Sequence, residues 1–138
     1  MSVVKQARLL RKGKVKNIYT LPDDKLLFEF SDRVSAFDVV LHTPIPKKGE
    51  VLCKFAKFWF DVLDCPNHMV DFVDANKMVV KNLRMIPVEC IVRGYLYGSL
   101  VERVKKGVVK YEGEKILAAK LPKPIFDPTT KSETHDLP

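Results

Sequence analysis

The sequence lacks the cysteine pairs that bind metals or that form the disulfide framework of a secreted domain. Its three cysteines, Cys53, Cys65 and Cys90, are widely spaced and odd in number, so neither a zinc site nor a disulfide network is indicated. Cys90 falls at an inward position of a predicted strand and Cys53 lies in a helical pattern. We therefore interpret both as core residues and not as nucleophiles.

Long apolar runs are also missing. No stretch approaches the length of a membrane span, and the first ten residues lack the apolar segment and the small-residue cleavage site of a secretory signal. We therefore expect a cytoplasmic protein with no membrane partner.

Aromatic residues are scarce, at 9% of the chain, and none falls in an RNA-binding pattern of alternating aromatic and basic residues. Acidic residues are outnumbered 24 to 17 by basic ones, which gives a formal charge of +7. Since the basic residues recur beside glycines and at strand ends and do not form one block, we expect small anions such as nucleotides and no nucleic acid.

What the chain does have is enough apolar material for a core. It has 138 residues, of which 46% are hydrophobic and 30% charged, with no low-complexity tract. This length fits one domain, or one domain and part of another.

Short runs with the composition of β-strands occupy most of the chain, with few helices between them. Residues 26–30 (LLFEF) are the clearest strand, and they pair naturally with residues 17–21 across the turn at residues 22–25. Further predicted strands are residues 7–11, 38–41, 69–73, 77–81 and 88–93. Because strands and helices do not alternate strictly, the sequence predicts an α+β fold with a mainly antiparallel sheet.

Residues 50–63 have the apolar spacing of a helix. The apolar residues at intervals of three and four are Leu52, Phe55, Ala56, Trp59, Phe60 and Leu63. This spacing predicts a helix that packs the stripe on one face of the sheet.

Residues 88–100 (VECIVRGYLYGSL) have the pattern of a strand, a glycine-flanked turn and the start of a helix. Val88, Cys90 and Val92 alternate with the intervening side chains, which predicts a strand with these three facing inward. Ser99 and Glu102 form a capping box, so a helix is predicted to begin at Ser99 and to end before the glycine at position 107.

Arg93 then lies at the end of this strand, beside the start of the helix. An arginine fork and free N–H groups both favour an anion, most commonly phosphate. Two interpretations stay open at this point, an anion site and a structural salt bridge beside an ordinary helix cap.

A glycine lies between lysines at residues 12–16 (KGKVK). Lys14 and Lys16 would project to the same face of an extended segment, and Gly13 would allow backbone N–H groups to approach a ligand closely. The pattern is compatible with a phosphate-binding loop and with a hairpin that carries solvated lysines.

Five motifs, in order along the chain, resemble those of the SAICAR synthetase family of purine biosynthesis. They are residues 12–19 (KGKVKNIY), 30–38 (FSDRVSAFD), 48–50 (KGE), 88–100 and 121–136 (LPKPIFDPTTKSETHD). Each is weak by itself, but together and in this order they are highly specific.

The resemblance implies an ATP-dependent ligase that joins the carboxylate of CAIR, carboxyaminoimidazole ribonucleotide, to the amino group of L-aspartate. The products would be SAICAR, ADP and phosphate, with ATP and Mg²⁺ as cofactors and an acyl phosphate as intermediate. The family's organisation implies an ATP-binding lobe over residues 1–82 and the start of a substrate-binding lobe over residues 83–138.

The same resemblance assigns site residues position by position. Those matching the loop at the ATP phosphates are Gly13, Lys14, Val15 and Lys16, and those near the adenine are Lys81 and Met85. Those matching the CAIR site are Arg93 and Ser99, with Ser35 and Asp38 as further substrate contacts. Those near the reacting carboxylate and aspartate are Lys131, Glu133, His135 and Asp136.

Family members continue into a second half that carries the acidic residues for magnesium, whereas this chain ends at Pro138. We therefore interpret it as truncated, with little or no ligase activity by itself, and expect a homo-oligomer formed through uncovered apolar surface. Two other functions stay open, namely a nucleotide-binding module without catalysis and a basic structural or RNA-binding fragment.

Overall fold

The computed structural model describes residues 6–36, 39–111, 113 and 117–130. The chain divides into two units, Met1–Arg84 and Met85–Pro138, called here the N-terminal and C-terminal units. That these units serve ATP binding and substrate binding stays a prediction.

In the part of the N-terminal unit that the structure describes, there is one five-stranded sheet and one long helix. Its elements in chain order are β1 (Arg8–Lys12), β2 (Lys16–Leu21), β3 (Lys25–Phe30), β4 (Ser35–Ala36), β5 (Val39–Val40), α1 (Lys48–Val62), β6 (Met69–Asp74) and β7 (Lys77–Lys81). The sheet order is β1-β2-β3-β7-β6 with all neighbours antiparallel, while β4 and β5 pair with each other. The predicted α+β class with a mainly antiparallel sheet is confirmed.

The turn between β2 and β3 forms where the sequence predicts it. Asp23 and Asp24 adopt left-handed backbone angles, with φ of 58° and 52°, a conformation that aspartate tolerates in tight turns. The turn sets the register in which Leu21 faces Lys25. The predicted pairing of these two strands is confirmed.

The sheet is apolar on both faces. Leu27 and Val79 are buried on one face, while Met78 and Val80 are buried on the other with Cys53 of α1. Strand β7 therefore has apolar residues at consecutive positions because both of its faces are covered. The interpretation of Cys53 as a core residue is confirmed, since its exposed fraction is 0%.

Helix α1 packs on the sheet with a different face from the one predicted. Gly49 and Cys53 are buried, and Ala56 and Phe60 pack beside them. These four follow the helical spacing, but only the last two belong to the predicted stripe. The remaining stripe residues are 37–57% exposed, so their predicted burial is wrong: Leu52, Phe55, Trp59 and Leu63.

Small side chains explain which face α1 turns inward. A Cβ added to Gly49 would overlap the carbonyl oxygen of Phe30, so only a glycine allows the helix to approach β3 this closely. Apolar residues occur around most of the helix, including the exposed Val51 and Phe58, and the spacing alone therefore could not select the buried face.

The described part of the C-terminal unit contains short paired strands and one short helix. Its elements are β8 (Val88–Glu89), β9 (Val92–Tyr95), α2 (Ser99–Lys105), β10 (Lys120–Phe126) and β11 (Thr129–Thr130). Strand β9 pairs with β10 and β8 pairs with β11, both antiparallel. The core residues of this unit are Leu96, Leu100, Val104 and Leu121.

The predicted strand over residues 88–93 is interrupted, and its faces are reversed. Val88 is 41% and Val92 is 69% exposed, and Cys90 is also exposed. Ile91 and Arg93 are instead half-buried. The predicted inward face and the core role of Cys90 are wrong, because β8 and β9 pair with different strands and Arg93 has a buried partner.

Helix α2 has no capping box. Gly98 precedes its first turn with a φ of 62°, and no side chain caps the helix. The Ser99 hydroxyl instead accepts a hydrogen bond from Arg93. The predicted glycine stop is confirmed, with Gly107 at a φ of 71° just after the helix.

Neither helix within the described residues has both the length and the apolar character that a membrane crossing requires.

Candidate functional site

The loop at Gly13 links β1 to β2. Its backbone N–H donates to the carbonyl oxygen of Lys16 at 2.8 Å. A Cβ at position 13 would lie 2.9 Å from that oxygen, which is closer than a side chain tolerates. Glycine therefore permits the tight loop, and its own N–H is used within the loop and not toward a ligand.

The two loop lysines lie in different local structures. Lys14 lies in the bend between the strands, whereas Lys16 begins β2. The Lys16 ammonium lies 3.9 Å from the centre of the Phe28 ring, an arrangement that stabilises the cation. Burial lowers the pKa of Lys16. Residues 14 and 15 form a bend, not the extended segment on which the predicted common face depends.

Arg33 braces the loop from the 30–38 segment. It donates from Nη2 to the carbonyl oxygen of Gly13 at 2.8 Å and from Nε to that of Lys14 at 3.3 Å. Nη2 also donates to Oδ1 of Asn17 at 2.8 Å. One planar guanidinium therefore holds both the loop and the strand that follows it.

Ser31 holds the next residue of the same loop. Its hydroxyl and its backbone N–H both donate to the carbonyl oxygen of Val15, at 2.7 and 3.0 Å. With the two bonds from Arg33, three successive carbonyl oxygens of the loop are turned toward the 30–38 segment. These oxygens would repel a phosphate, so engaging them removes an obstacle to an anion at the loop.

Asp32 connects this assembly to the start of α1. Its carboxylate accepts hydrogen bonds from the N–H groups of Gly49, at 2.9 Å, and of Lys47, at 3.1 Å. The Lys48 ammonium donates to the carbonyl oxygen of Arg33 at 2.9 Å. A carboxylate on these N–H groups stabilises the helix start as a cap does. Three of the motifs found in the sequence, at 12–19, 30–38 and 48–50, are thus joined.

A carboxylate network also reaches this loop. Asn17 and Tyr19 donate to Oε2 of Glu29 at 2.9 and 2.7 Å, and Lys77 is 3.6 Å away from Oε1. The hydrogen bond from Asn17, with smaller contributions from Tyr19 and Lys77, lowers the pKa of Glu29 despite its partial burial. The bond to Glu29 in turn raises the pKa of Tyr19. Since Asn17 also accepts a hydrogen bond from Nη2 of Arg33, this network helps to hold the Arg33 guanidinium in place.

Of the other residues up to position 85 that are predicted for the nucleotide and substrate sites, the structure describes Ser35, Lys81 and Met85. Ser35 is half-buried in the β4–β5 pair, and Asp38 lies outside the described residues. Lys81 is exposed at the end of β7, and its N–H donates to the carbonyl oxygen of His68 at 2.8 Å. Met85, the first residue of the C-terminal unit, is 82% exposed.

In the C-terminal unit the structure brings Arg93 and Ser99 together. Arg93 donates from Nη2 to the Ser99 hydroxyl at 3.0 Å and from Nη1 to the carbonyl oxygen of Tyr97 at 3.4 Å. Its Nε donates to Oδ2 of Asp127 at 2.5 Å. The salt bridge of one interpretation is therefore present, and the two residues matched to CAIR are in direct contact.

Asp127 is the most deeply placed charge in this cluster. It is only 4% exposed and also forms an ion pair with Nη2 of Arg103. Its backbone N–H donates to the carbonyl oxygen of Ile91 at 2.8 Å, which fixes the carboxylate relative to β9. Two guanidinium groups share this one carboxylate, which leaves an excess positive charge that favours an anion.

Sequence reasoning missed several residues that organise these sites. Arg33, Asp32 and Asp127 stand inside quoted motifs, and their charge was the available signal, but their partners are 15–34 residues away. The predicted group near the reacting carboxylate lies outside the described residues and comprises Lys131, Glu133, His135 and Asp136.

No group of three or more His, Cys, Asp or Glu side chains within the described ranges is placed to hold a metal ion. An open depression of about 410 Å³ in the C-terminal unit contains none of the predicted site residues. It is lined by Lys110, Tyr111, Gly113, Pro122 and Ile125. It therefore does not help to define the site.

Comparison with known proteins shows extensive similarity. Residues 9–138 match the family model for SAICAR synthetase. The phosphoribosylaminoimidazole-succinocarboxamide synthase of Nitrosopumilus maritimus is 60% identical over 131 residues, which are 94% of this chain and 47% of that protein. The synthase of the same name from Corynebacterium efficiens is 40% identical over 145 residues, covering 95% of this chain and 47% of its own length.

Solved structures agree with these relatives. The SAICAR-synthase from Saccharomyces cerevisiae complexed with SAICAR is 34% identical with a TM-score of 0.83, covering 95% of this chain and 52% of its own. A SAICAR synthetase in complex with ADP is 29% identical with a TM-score of 0.77, covering 92% of this chain and 52% of its own.

The chain spans about half the length of the curated relatives it matches. The family match nevertheless extends over nearly all of it, as do the similarities to the solved structures. The chain belongs to the SAICAR synthetase family.

Proposed function

We propose that the protein contributes the ATP- and CAIR-binding residues of an ATP-dependent ligase of purine biosynthesis, which joins CAIR to L-aspartate and releases SAICAR, ADP and phosphate. Because the chain covers about half the length of its relatives, we expect little or no ligase activity from it by itself. Membership of the SAICAR synthetase family supports the proposed contribution. One structural relative is complexed with SAICAR, which supports the substrate class. Another is in complex with ADP, which supports the nucleotide class. A cytoplasmic location accords with this metabolic role.

The proposed reaction has two steps. A carboxylate oxygen of CAIR attacks the γ-phosphorus of ATP, the bond to the bridging oxygen breaks, and ADP leaves. The amine of aspartate then attacks the acyl carbon, phosphate leaves with its bonding electrons, and the nitrogen loses a proton. Such steps gain most from donors that are fixed before the charge develops.

The contact between Arg93 and Ser99 carries this proposal. These two residues match the CAIR site, and their side chains meet at 3.0 Å in the C-terminal unit. The planar guanidinium offers paired donors to a phosphate or carboxylate, and the hydroxyl adds a further donor. We propose that Ser35 and Asp38 provide additional substrate contacts.

The loop at residues 13–15 supports a nucleotide phosphate site. Arg33 and Ser31 engage its carbonyl oxygens from one side. We propose that Gly13, Lys14, Val15 and Lys16 lie along the ATP phosphates. In the same proposal, Lys81 and Met85 lie near the adenine.

Magnesium is part of the proposal only as the partner of ATP. The described residues hold no group of three or more His, Cys, Asp or Glu side chains placed for a metal ion, and Mg²⁺ bound to a nucleotide needs only one or two protein carboxylates. We assign no step to the ion. The four residues at positions 131–136 named above remain the proposed group near the reacting carboxylate.

We also propose that the protein is a homo-oligomer. The exposed face of α1 carries large apolar side chains, with Phe55 at 57%, Phe58 at 53% and Trp59 at 49% exposure. Covering such a face with its counterpart on a second copy would remove apolar area from water. Sedimentation across a concentration series should show association that Phe55→Glu weakens, whereas a concentration-independent monomer would contradict it.

The experiment for the proposed function is a calorimetric titration of the chain with CAIR. We expect saturable binding that Arg93→Ala weakens by roughly tenfold or more, as the loss of a charged contact does. The matched control is Arg8→Ala, which removes an exposed arginine from β1. No binding, or equal loss in both variants, would contradict the proposal.

A titration with a single-stranded oligonucleotide tests the basic-fragment alternative. A nucleic-acid-binding protein would show affinity that falls steeply with salt and depends on many lysines. We expect CAIR binding to depend mainly on one arginine and oligonucleotide binding to be weak.

A further inference from the structure

We infer that Asp127 is a positioning residue, which acts through Arg93 to orient that guanidinium toward an anionic group of the substrate. The inference rests on the CAIR site proposed above. It assigns a role to a carboxylate that would not itself touch the substrate.

The geometry of the contact supports a positioning role. Asp127 accepts from Nε of Arg93 at 2.5 Å, and Nε lies at the inner edge of the guanidinium. The outer nitrogens instead point toward Ser99 and the carbonyl oxygen of Tyr97. The bond to Nε fixes the plane of the guanidinium group. Nη1 and Nη2 each carry a second N–H, and these two donors remain for a ligand.

Burial explains why a carboxylate is suited to this task. The Asp127 side chain is 5% exposed and that of Arg93 is 18% exposed, so water competes weakly for their hydrogen bonds. The backbone N–H of Asp127 is itself bonded to Ile91. The backbone bond therefore restrains the position of the Asp127 carboxylate, and the carboxylate in turn restrains the orientation of the Arg93 guanidinium.

Arg103 supplies the second half of the arrangement. It pairs with the other oxygen of Asp127, and its own Nε is buried with no hydrogen-bond partner among the described residues. A carboxylate that served only to neutralise a buried arginine would need to pair with just one arginine, whereas Asp127 pairs with two. With two arginines on one carboxylate the cluster keeps an excess positive charge, which a bound anion would balance.

The test combines two measurements on the full chain. The first is the NMR signal of the Arg93 Nε–H, which should be protected from exchange in the unaltered chain and lose that protection in Asp127→Asn. The second is a CAIR titration of the unaltered chain, Asp127→Asn, Arg93→Ala and the double variant. We expect Asp127→Asn to weaken binding roughly tenfold by itself and less than about twofold in the Arg93→Ala background.

Two further variants keep the test decisive if Asp127→Asn folds poorly. Arg103→Met with Asp127→Asn removes one charge of each sign, and it should refold while still lowering CAIR affinity. Glu102→Gln is the matched control, since Glu102 is exposed and forms an ion pair with Lys105 at 3.2 Å. This control should change neither measurement.

The outcomes separate this inference from the proposed function. Unchanged CAIR affinity in the Asp127 variants, with normal binding by the unaltered chain, overturns the positioning role alone. Equal loss in both backgrounds also overturns it, because Asp127 would then not act through Arg93. Failure of the unaltered chain to bind CAIR, with a protected Nε–H, overturns the CAIR site and with it this role.

Discussion

Arg33 and Gly13 are twenty residues apart, yet the Arg33 guanidinium donates to the Gly13 carbonyl oxygen at 2.8 Å. Through this bond the 30–38 segment fixes the shape of the loop that we assign to the ATP phosphates. The loop therefore depends on a tertiary contact and not on its glycine alone.

Replacing Arg33 by alanine should destabilise the N-terminal unit. The change removes three donated hydrogen bonds, to Gly13, Lys14 and Asn17. Since part of the side chain is exposed, we expect a loss of about 1–2 kcal/mol in the free energy of unfolding. Urea unfolding measures this, with Arg8→Ala as the exposed control. Equal stability of the two variants would show that Arg33 does not brace the loop.

Gly49→Ala should lower the stability of the protein, although alanine usually favours a helix over glycine. The added methyl group would overlap the carbonyl oxygen of Phe30, which would push α1 away from β3 at a predicted cost of about 1–3 kcal/mol. Gly94→Ala is the matched control, because a Cβ there meets nothing within 4 Å. Thermal unfolding of both variants checks the prediction, and a neutral Gly49→Ala would contradict the close approach of the helix.

His68 should make the stability depend on pH. Burial, with a smaller contribution from the Lys16 charge, lowers the pKa of His68 below 6.5. On acidification the unfolded chain therefore binds a proton first, so stability should fall as the pH drops below about 6.5 toward the lower folded-state pKa. Above that range the contribution is fully present.

Comparison of His68→Gln with the unaltered chain isolates this effect. The variant should lose the decrease in urea-unfolding stability over that pH range, while His42→Gln, at an exposed position, should retain it. The rings of Phe28 and Phe60 pack against His68 at 5.9 and 5.2 Å, so the variant will also be less stable at every pH. The diagnostic quantity is therefore the change in the free energy of unfolding with pH, and not its value at any one pH.

The three cysteines should differ in reactivity. Burial raises the pKa of the Cys53 thiol to about 11, and this residue is also inaccessible, whereas Cys65 and Cys90 are exposed. Maleimide at neutral pH should label those two quickly, and Cys53 only after denaturation. Mass spectrometry of the native protein checks this, and rapid triple labelling would contradict the packing of α1.

Local patterns predicted much of the fold. Strand composition located β2, β3, β6 and β7, and the aspartate turn set the first hairpin. These features depend on neighbours in sequence, which composition and alternation describe well.

Patterns failed where distant partners decide the outcome. The alternation of apolar residues in 88–93 predicts that Cys90 faces inward. Cys90 is instead exposed, because Asp127 holds Arg93 on the buried side of β9. Ser99 was predicted as a helix cap, but its hydroxyl serves the same arginine. For α1, the small residue Gly49 selects the buried face, and only the position of Phe30 makes its size matter.

The candidate site was predicted from motifs and not from geometry. The resemblance identified Arg93 and Ser99, and the structure places them in contact. It did not identify Arg33 or Asp127, because these residues act on other protein groups across the fold. Such supporting residues become visible only when hydrogen bonds between distant segments are known.

Titration with ATP in the presence of Mg²⁺ tests most directly whether the braced loop is a nucleotide site. We predict saturable binding that Lys14→Ala weakens by roughly tenfold, as the loss of one charged phosphate contact does. Lys54→Ala is the matched control, since it removes the same charge from an exposed position on α1. It should leave the affinity unchanged. Absence of ATP binding, or an equal loss from both substitutions, would contradict the account.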